Sequence, residues 1–223
     1  MSLYSLPPFA VGLTCFLVGV VVAFKGRPRP ANFIYSSVTF SIAIWFLGYA
    51  VAYSCQEPST VLFWVKIAYV GIIFIPITFY HFVVSFLGLK REIRFAHSCY
   101  LLGFIFVLLN FFSEDFVSGL YHYPWGYHTR VGFSHNFYLP LFFILNLRGF
   151  LLLYLAFRGR FGVNTSEQRN RLRYLFWACV VASLGAVDFF PHYGIPIYPF
   201  GYLFLAIAAI TNTYAIVRHQ LMD

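Results

Sequence analysis

Apolar residues along this chain fall in long, nearly uninterrupted runs, without the strict alternation of a half-buried strand. A helix rises about 1.5 Å per residue and the hydrocarbon core of a bilayer is about 30 Å thick, so one crossing takes roughly 20 apolar residues. Seven stretches reach about that length: 5–24, 32–54, 61–89, 95–112, 137–157, 172–190 and 195–217. They run to about twice the 9 to 11 residues of a barrel strand, and only helices satisfy their own backbone in lipid. The pattern predicts an all-α integral membrane protein, with residues 1–223 forming a single seven-helix transmembrane bundle. The first stretch has no basic leader, and its positive charges follow the apolar run, so it reads as a span and not as a signal peptide.

The polar connections add detail. The longest, 113–136, holds Tyr-His-Tyr-Pro-Trp-Gly-Tyr-His at 121–128. Its Pro and Gly signal turns and its aromatics suit a headgroup interface, so it is expected to lie on the bundle as an exterior lid. Thr165-Ser166-Glu167-Gln168 has capping-box spacing, with Thr165 as N-cap, which starts the sixth helix ahead of its apolar run. The seventh helix is expected to start after Ile195-Pro196-Ile197-Tyr198-Pro199, where proline at a first-turn position costs no hydrogen bond. Gly201, Ala206, Ala208 and Ala209 then permit close helix contacts.

Composition agrees with a membrane protein, at 61% hydrophobic and 10% charged residues against roughly a quarter charged in soluble domains. The net charge of +8 raises nucleic acid as a partner, but the basic residues are sorted by side. Lys25, Arg27, Arg29, Lys90, Arg91, Arg94, Arg158, Arg160, Arg169, Arg171, Arg173 and Arg218 fall on one side, while the other carries Arg130 with Glu57, Glu114 and Asp115. Positive charge marks the cytoplasmic face, which places the N-terminus outside and the C-terminus inside. The basic loops read as topology signals and anionic-lipid contacts, and nucleic-acid binding has no support. Of four cysteines only Cys55 approaches the outer surface, too few for an extracellular disulfide framework.

Ionisable groups in lipid cost at least a few kcal/mol, which makes each a functional candidate. Lys66 and Asp188 lie at matching depths near the outer side, and a salt bridge between them competes with snorkelling of Lys66 beside Trp64 and with a ligand contact. Arg148 sits near mid-membrane, where its partners are backbone carbonyls, hydroxyls or an anionic ligand. His81 reads as a neutral, hydrogen-bonded helix residue more readily than as a proton sensor. Trp125 of the exterior segment and Tyr202 of the seventh helix complete the candidate ligand or switch set. His122, His128 and His135 match no metal-binding spacing, so neither metal nor cofactor is expected. No zinc helix, nucleophile elbow, phosphate loop or intramembrane carboxylate pair occurs, and the seventh helix lacks a retinal lysine. No catalysis is expected.

The stretch from Glu167 to Leu175, Asp188-Phe189-Phe190-Pro191, Gly194-Ile195-Pro196-Ile197-Tyr198-Pro199 and Tyr214-Ala215-Ile216-Val217-Arg218 resembles the N-terminal seven-transmembrane sensor region of bacterial histidine kinases. Leu62-Phe63-Trp64, Tyr69-Val70-Gly71, His81-Phe82 and Pro124-Trp125-Gly126-Tyr127 add to it, and His219 to Asp223 resembles that family's exit into a cytoplasmic helix. The resemblance implies a sensor in the bacterial inner membrane that detects an extracellular or membrane-borne stimulus and relays it through helix 7 to a cytoplasmic signalling domain. Expected partners are the bilayer, a small-molecule ligand, that signalling domain and a second copy of the chain. No phosphoacceptor helix or ATP lid follows helix 7, so the expectation is a piece of a longer protein or a free-standing sensor. A small-solute transporter with Arg148 lining its path is the alternative.

Overall fold

The computed structural model describes residues 2–25, 30–161 and 166–219. Arg27 and Arg29, the cap at Thr165 and the exit from Gln220 to Asp223 lie outside the described residues. The helices are α1 (Leu6–Lys25), α2 (Pro30–Ala52), α3 (Pro58–Phe86), α4 (Lys90–Phe112), α5 (His135–Phe157), α6 (Ser166–Ser183) and α7 (Gly201–His219). Among the described residues, six segments are long and apolar enough to cross a membrane, and Gly201–Thr211 is a shorter apolar helix.

Three departures from the apolar pattern have physical causes. The exterior segment is a β-hairpin, β1 (Val117–Tyr123) against β2 (Gly126–Val131), turned at Pro124-Trp125. Its Val and Tyr residues favour strands, and the segment lies outside the long helices. The sixth crossing leaves α geometry after Ser183 and continues as a 3₁₀ helix, Leu184–Tyr193, well beyond the usual three or four residues of such runs. Gly194, at φ +87, then stops it. The seventh helix begins at Gly201, after the 196–199 segment as expected but later than its apolar run at 195, because Pro196 and Pro199 hold the residues before them out of the helical region.

Small residues bring α2 and α3 together. A Cβ on Gly71 would stand 2.2 Å from the Ser41 carbonyl, and one on Gly48 would stand 2.8 Å from the Ala68 Cβ. In lipid, close packing of this kind replaces the hydrophobic drive between helices. Pro76, buried inside α3, has no N–H for the carbonyl of Ile72 four residues back. The Tyr138 hydroxyl of α5 fills that gap, donating to the Ile72 oxygen at 2.6 Å. A helix-breaking residue in α3 thereby becomes the attachment point of α5.

The hairpin covers the end of the bundle at which α2 ends and α3 begins. The described basic residues of the α3–α4 and α5–α6 connections lie at the other end. Tyr49, Tyr53, Tyr69, Phe116, Tyr123, Trp125 and Tyr138 form a buried aromatic cluster beneath the hairpin.

The α2–α3 contact is expected to be intolerant of one methyl group. Gly71→Ala must push against backbone and should destabilise the protein by about 1–3 kcal/mol. Gly12→Ala, whose Cβ meets the flexible side chain and one backbone atom of Leu47, should cost less. Thermal unfolding in detergent measures both, and equal melting temperatures would contradict the packing.

Candidate functional site

Polar side chains are scarce in this protein, and many of the buried ones gather beneath the hairpin. The Tyr49 hydroxyl of α2 lies 2.6 Å from Thr129 Oγ1 of β2 and 3.0 Å from His192 Nε2 of the 3₁₀ segment. His192 Nδ1 lies 2.7 Å from the Asp188 carbonyl, which can only accept, so Nδ1 carries the proton. Nε2 is then the acceptor, Tyr49 donates to it, and Thr129 donates to Tyr49. Tyr53 pairs with His128 Nδ1 at 2.9 Å, and the Tyr123 hydroxyl donates to the Pro191 carbonyl at 2.9 Å. His135 Nδ1 meets the Tyr193 hydroxyl at 2.9 Å. These contacts pin the hairpin to α2 and to the 3₁₀ run.

His128 of β2 is 2% exposed, and burial beside His192 pushes its imidazole well below the usual histidine range. It is therefore neutral at physiological pH. Its Nε2 and the indole Nε1 of Trp125 are buried without a protein hydrogen-bond partner.

Asp188 occupies the centre of this arrangement. Its side chain is 5% exposed, and Oδ1 accepts the N–H of Gly201, the first residue of α7, at 2.7 Å. The first N–H groups of a helix have no partner inside it, and their positive end favours a carboxylate. Only glycine permits the approach, because a Cβ on Gly201 would lie 2.6 Å from both Asp188 Oδ2 and the Gly185 carbonyl.

Toward the basic end, Asp188 and His192 border a cavity of about 120 Å³ lined by residues of α1, α2, α3, α5, α6, the 3₁₀ segment and α7. Most of its wall is apolar, including Trp45, Phe79, Phe142, Phe150, Leu175 and Leu205. A smaller pocket of about 20 Å³, wide enough for one water molecule, meets the same two residues from the hairpin side, among Tyr49, Tyr53, His128, Tyr198 and Tyr202.

The candidates expected from sequence fall into separate places. Asp188 and Tyr202 share the small pocket, and Trp125, 8% exposed, packs edge-on against Tyr198 of its wall. Lys66 does not pair with Asp188: Lys66 Nζ points to the Phe111 carbonyl of α4 at 3.5 Å, while Asp188 turns to α7. The neighbouring Asn110 amide donates to the Lys66 carbonyl, so Lys66 belongs to the α3–α4 contact. His81, partly buried on α3, meets the Tyr100 hydroxyl at 3.1 Å and the His97 ring at 5.0 Å.

Arg148 has a partner that the sequence reading missed. It is the fourteenth residue of α5, about 20 Å from the hairpin end, and its side chain is 46% exposed. Its Nη2 lies 2.6 Å from Glu92 Oε1 and its Nε 2.9 Å from Oε2, a bidentate pair to which the Tyr80 hydroxyl also donates. The expected partners were carbonyls, hydroxyls or an anionic ligand, because Glu92 sits among Lys90, Arg91 and Arg94 in a segment that reads as a basic loop. That segment is helical from Lys90 onward, which puts Glu92 in the first turn of α4 and within reach of α5. A lone acid inside a basic run was the available signal. His128, His192 and Tyr49 were likewise not marked as a group, since no spacing links residues so far apart in sequence.

A bundle of membrane-crossing helices, closed at one end by a docked hairpin and hollow beneath it, defines a polytopic membrane protein with an internal pocket. The family described as the N-terminal 7TM region of histidine kinase matches residues 7–223, and the chain belongs to it. No curated protein matches the chain.

The Arg148–Glu92 pair predicts charge-swap behaviour. Arg148→Glu and Glu92→Arg should each lower thermal stability in detergent, because each sets like charges together, and the double variant should recover most of the loss. Additive losses in the double variant would show that the two residues act separately.

Proposed function

We propose that this chain is the sensing module of a bacterial signal-transduction protein of the inner membrane. In this reading the hairpin end faces outside, the basic end faces the cytoplasm, and α7 passes a stimulus to a cytoplasmic output domain. The chain itself performs no catalytic step. Family membership supports the sensory class. The sorting of Lys and Arg supports the direction.

One observation carries the relay: Asp188 both borders the cavity and holds the first N–H of α7. A molecule entering the cavity competes for the carboxylate or displaces the 3₁₀ segment, and either change alters how α7 starts. Two arrangements of α7 then differ in ligand contacts, as any ligand-driven shift requires. The ten-residue 3₁₀ run supports this, because such stretches mark hinges more often than ordinary helix does. The transporter alternative placed Arg148 along its path, but Arg148 is absent from the cavity wall and pairs with Glu92.

The test fuses the chain to a histidine kinase output domain in proteoliposomes and measures autophosphorylation. Asp188→Ala should change basal output by roughly fivefold or more, the scale of ordinary coupling energies. Arg148→Ala, in a folded protein, should stay near the native level. Native output from a correctly inserted Asp188→Ala protein would overturn the relay.

A further inference from the structure

We infer that the cavity beneath the hairpin is a binding site for a small, uncharged, ring-sized molecule bearing one hydroxyl group. This deepens the sensor reading and rests on it.

Size sets the first limit. An apolar cavity of about 150 Å³ accommodates benzene, so about 120 Å³ suits a single ring or an aliphatic chain of similar bulk. Charge sets the second. The lining contains no Lys or Arg, and both Arg148 and Lys66 are engaged elsewhere, so an anion would enter a mostly apolar cavity with no counter-charge.

The polar part of the ligand follows from which hydrogen-bonding groups are already committed. Among the polar lining residues, Thr39 donates to the Ser36 carbonyl and Ser183 to the Val180 carbonyl, each within its own helix turn. His192 uses both ring nitrogens, on the Asp188 carbonyl and on Tyr49. Asn146 spends one amide N–H on Phe142. The Asp188 carboxyl group offers about four acceptor positions, one of which accepts the backbone N–H of Gly201. Its remaining capacity is for a donor. A hydroxyl supplies one donor without bringing the desolvation cost of a second charge. The aromatic wall of Trp45, Phe79, Phe142 and Phe150 suits the face and edge of a ring. A phenol-like molecule fits all of these conditions, whereas toluene lacks the donor and benzoate carries the wrong charge.

The experiment titrates the purified chain in nanodiscs with phenol, toluene and benzoate, following tryptophan fluorescence, since Trp45 lines the cavity. Partition into lipid is subtracted with empty nanodiscs. Phenol should bind saturably and roughly tenfold more tightly than toluene, and benzoate should not bind. Asp188→Ala, which removes the hydrogen-bonding partner, should bring phenol and toluene to similar affinity. Ala208→Leu, which fills the cavity from α7, should abolish binding of both. Equal affinities in the native protein would overturn the assigned hydroxyl contact. Binding that survives Ala208→Leu, or no saturable binding at all, would overturn the site. Either failure is separate from the relay, whose readout is kinase output in Asp188→Ala without any added ligand.

Discussion

One hydrogen bond organises the centre of this protein: the carboxylate of Asp188 on the first N–H of α7. Each partner would be costly alone. A buried carboxylate surrounded by apolar side chains loses its hydration, and a helix start buried in the same place leaves N–H groups unmet. Together they offset both costs, and much of the local sequence serves that meeting. Gly201 and Gly185 let the backbones approach, the 3₁₀ run carries Asp188 to the junction, and Pro196 and Pro199 delay α7 until Gly201 reaches it. Asp188 is thereby a joint as well as part of a cavity wall.

Two of the polar sets in the bundle have different consequences. Beneath the hairpin, Tyr49, Thr129, His192 and Asp188 form a chain of contacts from β2 through α2 to the start of α7, with nearly every group buried. Removing a member of such a network leaves its neighbours unsatisfied, so the whole set moves or holds together. Arg148, Glu92 and Tyr80 form another set, in which the buried Tyr80 of α3 meets the partly exposed Glu92 of α4 and Arg148 of α5. That set ties α3, α4 and α5 together and lies apart from α7.

The helices were legible because a membrane imposes a length and an apolar composition that survive in any reading of the sequence. The hairpin was not, since Val117 to Val131 mixes turn and aromatic residues that also suit an irregular lid. The start of α7 was legible from Pro196 and Pro199, although the apolar run itself begins at 195 and does not distinguish helix from extended proline-rich chain. Asp188, Trp125 and Tyr202 were marked individually from burial cost and interfacial position, and they converge in space. Their histidine and tyrosine neighbours were not marked, because Tyr49, His128 and His192 come from three elements whose meeting depends on how the hairpin docks. For Lys66, depth permits a pair with Asp188 beside snorkelling and a ligand contact, and depth does not specify which face of α3 it occupies.

If Asp188 sets the position of α7, the distance between that helix and a neighbour should depend on the carboxamide or carboxylate oxygen and not on the charge. Spin labels on cysteines placed at the exposed positions Leu101 of α4 and Ile207 of α7, in a Cys55→Ser background, report that distance by double electron–electron resonance. Asp188→Asn should reproduce the native distribution, whereas Asp188→Ala should shift it by about 2 Å or broaden it, the scale of helix movements in switching proteins. An unchanged distribution in Asp188→Ala would contradict the role of this bond as the joint that holds α7.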